Sequence, residues 1–393
     1  MSDVFAELVG QDHAVAMLRA AAADAPAARA GGHSAAMTHA WLITGPPGSG
    51  RSTAALAFAA ALVCPQGGCG HCAECVAVRH SAHVDVEHVV PESVTYAVAE
   101  TRELVMRSAL SPSRAPWHVF VLEDADRLNP ESANTLLKSI EEPTPGTVWV
   151  LCAPSTEDVL PTIRSRCRHL MLATPSTAEV ASALVSVLGV DPAMASFAAR
   201  AAQGHIGRAR ALATDESARL RRQDVLRIPT QLHNLGACLA LAADLVATVT
   251  DDAASICDPL DEGEMRALRQ AYGEGSEGRG IGTVERRAKG ALKALEDRQK
   301  KRRRRVVRDQ LDRAVVDLVA FYRDVLVLQL GAGSDLVNDE MRPQIERVAA
   351  ESNAEDTLRR VDALERTRNL LEANVAPLLA VEALTVSLAD PSL

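Results

Sequence analysis

Gly45-Pro46-Pro47-Gly48-Ser49-Gly50-Arg51-Ser52 is the stretch whose reading decides the fold. Its glycine spacing is that of a phosphate-binding P-loop, in which backbone N–H groups curl around phosphates, a Lys ammonium reaches the outer ones and the next hydroxyl ligates Mg²⁺. Arg51 stands where the Lys is expected, with Ser52 and Thr53 behind it. A guanidinium is a broad planar fork and an ammonium a compact point, so the exchange at a close-packed cradle is not conservative. The candidate nucleotide contacts are Gly45, Pro46, Gly48, Gly50, Arg51, Ser52 and Thr53, and whether they still hold ATP and Mg²⁺ is open at this point.

The flanking sequence suits a true phosphate loop. Ala40 to Thr44 reads as a buried strand before it and Thr53 to Val63 as a helix after it. Val84 to Val90, His118 to Leu122 and Val148 to Cys152 read as further buried strands alternating with helical patterns, including an Ala-rich one from Arg19 to Ala30. That alternation predicts an α/β fold with a parallel sheet. Pro175-Ser176-Thr177 is a helix start, and Gly204 to Gly207 mark a break in the helical stretch that ends near Thr214. From Asp215 onward there is helical periodicity and no convincing strand. Leu311, Ala314, Leu318, Phe321, Val325 and Leu328 are spaced as a packed helical seam, Gly273 to Gly282 as a flexible linker, and Gly331 to Ser334 as a helix end. Residues 1–174 are thus expected to form the nucleotide-binding domain, 175–214 a helical lid and 215–393 an all-α domain.

At 393 residues the chain suits two or three cores, built from Ala, Leu and Val because aromatics are only 3%. The absence of a bilayer-length apolar run or a signal-like N-terminus suggests a cytoplasmic protein without a membrane partner. A net charge of −9 argues against strong autonomous binding to a nucleic-acid backbone. The basic run Arg298 to Arg308 runs against that balance. It reads as a solvated helix face paired with acids elsewhere, phosphate contact being the alternative.

Cys64, Cys69, Cys72 and Cys75, with Gly67, Gly68 and Gly70 between them, have metal-ligand spacing. Four thiolates can enclose Zn²⁺ in a closed structural site, a 64–75 zinc module, with His71, His80 and His83 as substitute ligands and a disulfide pair as the alternative. Beyond the third strand, Glu123-Asp124 occupies the place of the carboxylates that hold Mg²⁺ and orient water, in the reverse of the usual Asp-Glu order; an acidic strand end capping the Pro130 helix is the other reading. Arg164-Ser165-Arg166-Cys167-Arg168 and Gly204-His205-Ile206-Gly207-Arg208-Ala209-Arg210 can each address phosphates or make surface ion pairs.

Taken together, Val9-Gly10-Gln11, the P-loop, the four cysteines, Ala133-Asn134-Thr135-Leu136-Leu137-Lys138-Ser139-Ile140-Glu141-Glu142-Pro143 and Arg164-Ser165-Arg166-Cys167 resemble the bacterial clamp-loader subunits of the AAA+ class over about the first 215 residues. The resemblance implies an AAA+ fold with a zinc insertion, a lid and a helical collar, and a part in loading a sliding clamp on primed DNA. Arg51, the swapped Glu123-Asp124 and Cys152-Ala153-Pro154-Ser155 at the sensor place favour the family's non-hydrolysing delta-prime branch over its ATP-hydrolysing gamma/tau branch. On that reading Arg166 is an arginine finger acting in trans on a gamma/tau neighbour, Arg208 lies near the sensor-2 position, gamma/tau and delta subunits are the ring partners, and any nucleotide site is vestigial. Cys64 to Cys69 is a shorter first gap than the family's pattern. The rival readings are a hydrolysing AAA+ subunit and a zinc-dependent nucleic-acid module using the 298–308 run.

Overall fold

The computed structural model describes residues 3–32, 35–91, 95–271, 281–373 and 375–391, with the backbone alone at 271 and 281–288. It divides into two compact units, Met1–Asp215 and Glu216–Leu393. The first runs, in chain order, α1 (Asp12–Arg29), β1 (Ala40–Thr44), α2 (Arg51–Val63), α3 (Ala73–Arg79), β2 (Val86–Val89), α4 (Val98–Ser108), β3 (His118–Leu122), α5 (Pro130–Glu141), β4 (Thr147–Ala153), α6 (Pro161–Arg164), β5 (Arg168–Met171), α7 (Thr177–Leu188), α8 (Pro192–Ala202) and α9 (Ile206–Thr214).

The five strands form one parallel sheet in the order β2-β3-β4-β1-β5. Its inner strands are buried at every position and mostly apolar because both faces are covered, as parallel sheets require. Trp41, Ile43, Val119, Val121, Val148 and Val150 pack into one core with α1 and α2. Leu42, Phe120, Leu122, Trp149 and Leu151 pack into the other with Leu104 of α4 and Leu136 and Ile140 of α5. The fold is the α/β class with a parallel sheet and flanking helices that the sequence predicts, with one strand more. β5 has only Leu170 buried and leaves Met171 71% exposed, so this edge strand carries no apolar run to betray it. β2 is shorter than Val84 to Val90, and α2 starts at Arg51 instead of Thr53.

Ser176 caps α7 in a reciprocal box with Glu179: the Ser176 Oγ accepts from the Glu179 N–H, and the Glu179 carboxylate accepts from the Ser176 N–H at 2.7 Å. Gly204 separates α8 from α9, whereas Gly207 lies inside α9.

The second unit is helical throughout its described residues: α10 (Glu216–Arg227), α11 (Leu235–Ala271), α12 (Ile281–Gln329), α13 (Arg342–Glu351), α14 (Ala354–Glu372) and α15 (Pro377–Ala389). Of the expected linker, residues 273–280 lie outside the described residues, while Ile281 and Gly282 open α12. Leu311, Ala314, Leu318, Phe321 and Val325 are all buried along α12, and Leu328 is half-buried beside them. A buried Arg222 pins α10 to this unit, its guanidinium donating to Asp317 at 3.1 Å and to Glu340 at 2.7 Å. Removing one partner from such a cluster leaves an uncompensated charge, a cost of about 3–5 kcal/mol.

Candidate functional site

The P-loop leaves the C-terminal end of β1 and enters α2, whose N-cap is Gly50 with no side chain bonded to the first-turn amides. A helix start of this kind is an anion cradle. Arg51 does not point an open cation into it: its Nη1 donates to the Gly45 carbonyl at 3.0 Å, bracing the loop against itself. Helix α9 adds a second constraint. The Ile206 N–H donates to the Gly48 carbonyl at 3.2 Å, and a Cβ on Gly48, whose φ is +83°, would run into the His205 ring. The His205 Nδ1 accepts the Arg208 N–H at 3.2 Å, so the first turn of α9, with Arg208, rests on the phosphate loop. On the sheet side the Gly45 N–H donates to the Pro154 carbonyl at 3.2 Å. Ser155 turns its hydroxyl to Asp158 at 2.9 Å, and Cys152 is an inert, fully buried thiol whose pKa burial raises.

Glu123 follows β3 directly and is 8% exposed. His88 lies one strand away at 3.0 Å from its Oε1, with the Ser52 hydroxyl near the same carboxylate and Arg51 as the nearby positive charge. Burial alone raises a carboxyl pKa, but these partners outweigh it and hold Glu123 below its ordinary value. The structure therefore brings together Arg51, Ser52 and Glu123. Asp124 instead leaves the strand with φ 49° and pairs with Arg127 at 3.6 Å. The acidic strand end does not cap the Pro130 helix; Asn129 does, accepting the Ser132 N–H at 2.9 Å. His88 and His205 carry no sequence signal for these places, because the β2–β3 register and the packing of α9 that put them there are tertiary.

Arg166 is 33% exposed in its side chain. Its Nε lies 3.2 Å from Glu141, and its Nη1 donates to the Thr162 carbonyl at 2.9 Å. It precedes β5, whose Arg168 aligns with Trp41, whereas the P-loop follows Thr44 at the other end of the parallel strand. Three residues of strand separate the two ends by about 10 Å. Arg166 and the chain's own phosphate loop are not brought together. Cys167 beside it is half-buried, and desolvation pushes its thiol up to about 12.

The four cysteines converge at the start of α3, with all four sulfurs within 4.8 Å of one another. The Cys64 Sγ lies 3.8 Å from Cys69 and 3.6 Å from Cys72. A tetrahedron with metal–sulfur bonds of ~2.3 Å has edges of about 3.8 Å, so the donor set fits one tetrahedral soft ion. Backbone N–H groups of Gln66, Cys72 and Cys75 donate to the sulfurs at 3.3 to 3.5 Å. Burial raises the Cys64 thiol, but the N–H groups of Cys69, Gly68 and Gln66 more than offset it, to about 6. All eight cysteines are unbridged. His71 turns to the Cys69 carbonyl, and His83 is buried against Glu74 at 2.9 Å, which with Arg114 ties α3 to the body of the unit.

Residues 29–176 match the family described as DNA polymerase III, delta subunit. Over that segment the chain is similar to subunits of the DNA polymerase III clamp loader. Among relatives, the gamma/tau subunit of Mycobacterium tuberculosis is 35% identical over 170 residues, 42% of this chain and 28% of that protein. The delta′ subunit of Pseudomonas aeruginosa is 34% identical over 163 residues, 40% of this chain and 50% of that one. For the Bacillus subtilis delta′ subunit the figures are 31% over 137 residues, 34% and 42%. The chain thus spans about a quarter to a half of the length of these curated relatives, and the likeness does not separate the two branches. A gamma subunit-related protein of Thermotoga maritima is 17% identical with a TM-score of 0.33, covering 68% of this chain and 94% of that one. No helix among the described residues is long and apolar enough to cross a membrane.

Proposed function

We propose that this chain acts as a delta-prime-type clamp-loader subunit: a cytoplasmic AAA+ protein that joins a ring with gamma/tau and delta subunits and places Arg166 in a neighbour's ATP site. In that role it supports ATP-dependent loading of the sliding clamp on primed DNA without turning over ATP itself. The observation that carries the reading is the Arg51 to Gly45 hydrogen bond, which engages the P-loop's cation with the loop's own carbonyl while His205 stands against Gly48. As they stand, these residues do not fit Mg·ATP. The register that sets Arg166 a strand length from its own P-loop supports action in trans. The Cys64, Cys69, Cys72, Cys75 cluster is read as a structural Zn²⁺ site, where the ion would supply only cross-linking, since four thiolates leave no position for water.

A second reading, a hydrolysing gamma/tau-like subunit, is favoured by one proximity: the Ser52 hydroxyl and the Glu123 carboxylate lie near each other where Mg²⁺ would bind. Titrating the purified chain with a fluorescent ATP analogue separates the two. The proposal expects neither Ser52-dependent binding nor turnover; binding that is lost in Ser52→Ala, accompanied by hydrolysis, would sink it.

A further inference from the structure

The basic run on α12 is one string in the sequence and two surfaces in the structure. One faces α11. Leu295 is buried there, Gln299 donates to the Asp261 carbonyl at 3.0 Å, Arg302 bonds Glu264 at 2.8 and 2.7 Å, and Arg303 pairs with Asp258 and Asp261. These two arginines are the part of the run that behaves as the solvated-face reading expects.

The other surface points away from α11. At 100° per residue, Lys293, Lys300, Arg304 and Arg308 follow one another at steps of seven, four and four on a single stripe. Lys293, Lys300 and Arg304 are exposed, and exposed Arg298 and Lys301 flank them. Lys293, Arg298, Lys300, Arg304 and Arg308 alone outnumber the acids Glu296, Asp297 and Asp309 of the same stretch. Asp297 lies 3.9 Å from Lys300, and Asp309 lies 3.7 Å from Arg305 and 4.0 Å from Arg308. The chain's net −9 does not cancel this field, because charges more than about 8–10 Å away are largely screened at physiological salt.

We propose that this outward stripe docks on the phosphate backbone of double-stranded DNA, independently of sequence. Four-residue steps repeat a cation every ~6 Å along a straight rod, opposite a duplex that carries a charge every ~1.7 Å of its axis. Two absences narrow the occupant. No aromatic residue lies between Tyr272 and Phe321, so the stripe has no stacking platform for a single strand. Between Leu260 and Leu330 no large apolar side chain is exposed among the described residues, so it also lacks the anchor a protein partner needs. The inference does not rest on the clamp-loader reading, since every residue in it belongs to the α11–α12 hairpin.

The test is fluorescence anisotropy with the full chain and a fluorescein-labelled 30-base-pair duplex between 50 and 200 mM salt. Each phosphate contact contributes about −0.9 to the slope of log affinity against log salt, so three or more contacts give about −3 or steeper. Lys300→Gln with Arg304→Gln should remove about two units of that slope and at least tenfold in affinity, with unchanged helicity by circular dichroism; Arg347→Gln with Arg359→Gln should change neither. Absence of salt-dependent binding at 50 mM, equal affinity of the Lys300/Arg304 variant, tighter binding of a 30-nucleotide single strand, or equal retention on immobilised polyglutamate would each overturn the proposal.

Discussion

Stripping metal from the cysteine cluster should cost the first unit much of its thermal stability. If Zn²⁺ occupies the site at a thousandfold excess over its dissociation constant, mass action contributes about 4 kcal/mol. For a unit of about 200 residues each kcal/mol is worth about 2–4 °C, so chelation should lower its melting temperature by about 8–16 °C. The electrostatics point the same way. Cys64 is held at about 6 by backbone N–H groups while burial pushes Cys75 well up, so the cluster cannot carry four thiolates without a cation among them. Binding must therefore release protons, and occupancy should fall as pH drops. The assay is differential scanning calorimetry with and without a chelator, beside metal content by mass spectrometry, for the wild type and Cys75→Ser. About one zinc per chain and a chelator-insensitive variant are expected. A metal-free wild type whose melting matches that of Cys75→Ser would refute the reasoning.

Two further outcomes follow from single contacts. Arg51→Lys removes the fork that reaches the Gly45 carbonyl and restores a point charge, so the isolated chain should gain at least tenfold in affinity for a fluorescent ATP analogue; unchanged affinity would show that the contact is not what closes the cradle. The Arg302 hydrogen bonds are the largest influence on Glu264 and take its carboxyl from an ordinary 4.5 to about 2, burial opposing them. A carboxylate depressed on folding contributes stability above its unfolded pKa and loses it as pH falls through the folded value. After discounting for solvent screening, the contribution is at most about 1 kcal/mol. The melting-temperature gap between wild type and Glu264→Gln should accordingly close between pH 4.5 and 2, and a constant gap would contradict it.

What could be read in the chain is what local chemistry writes there. The P-loop and its neighbouring strand and helix, the four thiols, the Ser176 start and the α12 seam each depend on residues close in sequence, and each lies in the structure as a local pattern predicts. The missed features are tertiary. β5 escaped because an edge strand buries one side chain of four. The Glu123 carboxylate could be named, but not that His88 holds it beside Ser52, since that needs the β2–β3 register and the meeting of β3 with α2. His205 reaches Gly48 only through the packing of α9. The basic run shows the same limit: a string of like charges has no faces until the helix it packs against is known.

The central claim is that this chain contributes an arginine and not an ATP site. Its most direct test is ATP turnover by the reconstituted ring with clamp and primed DNA, comparing Arg166→Ala with Ser52→Ala in this chain alone. The account predicts unchanged turnover for Ser52→Ala and, at the single site that Arg166 completes, a loss of about a thousandfold or more for Arg166→Ala with assembly intact. Full turnover with Arg166→Ala, or its loss with Ser52→Ala, would contradict it.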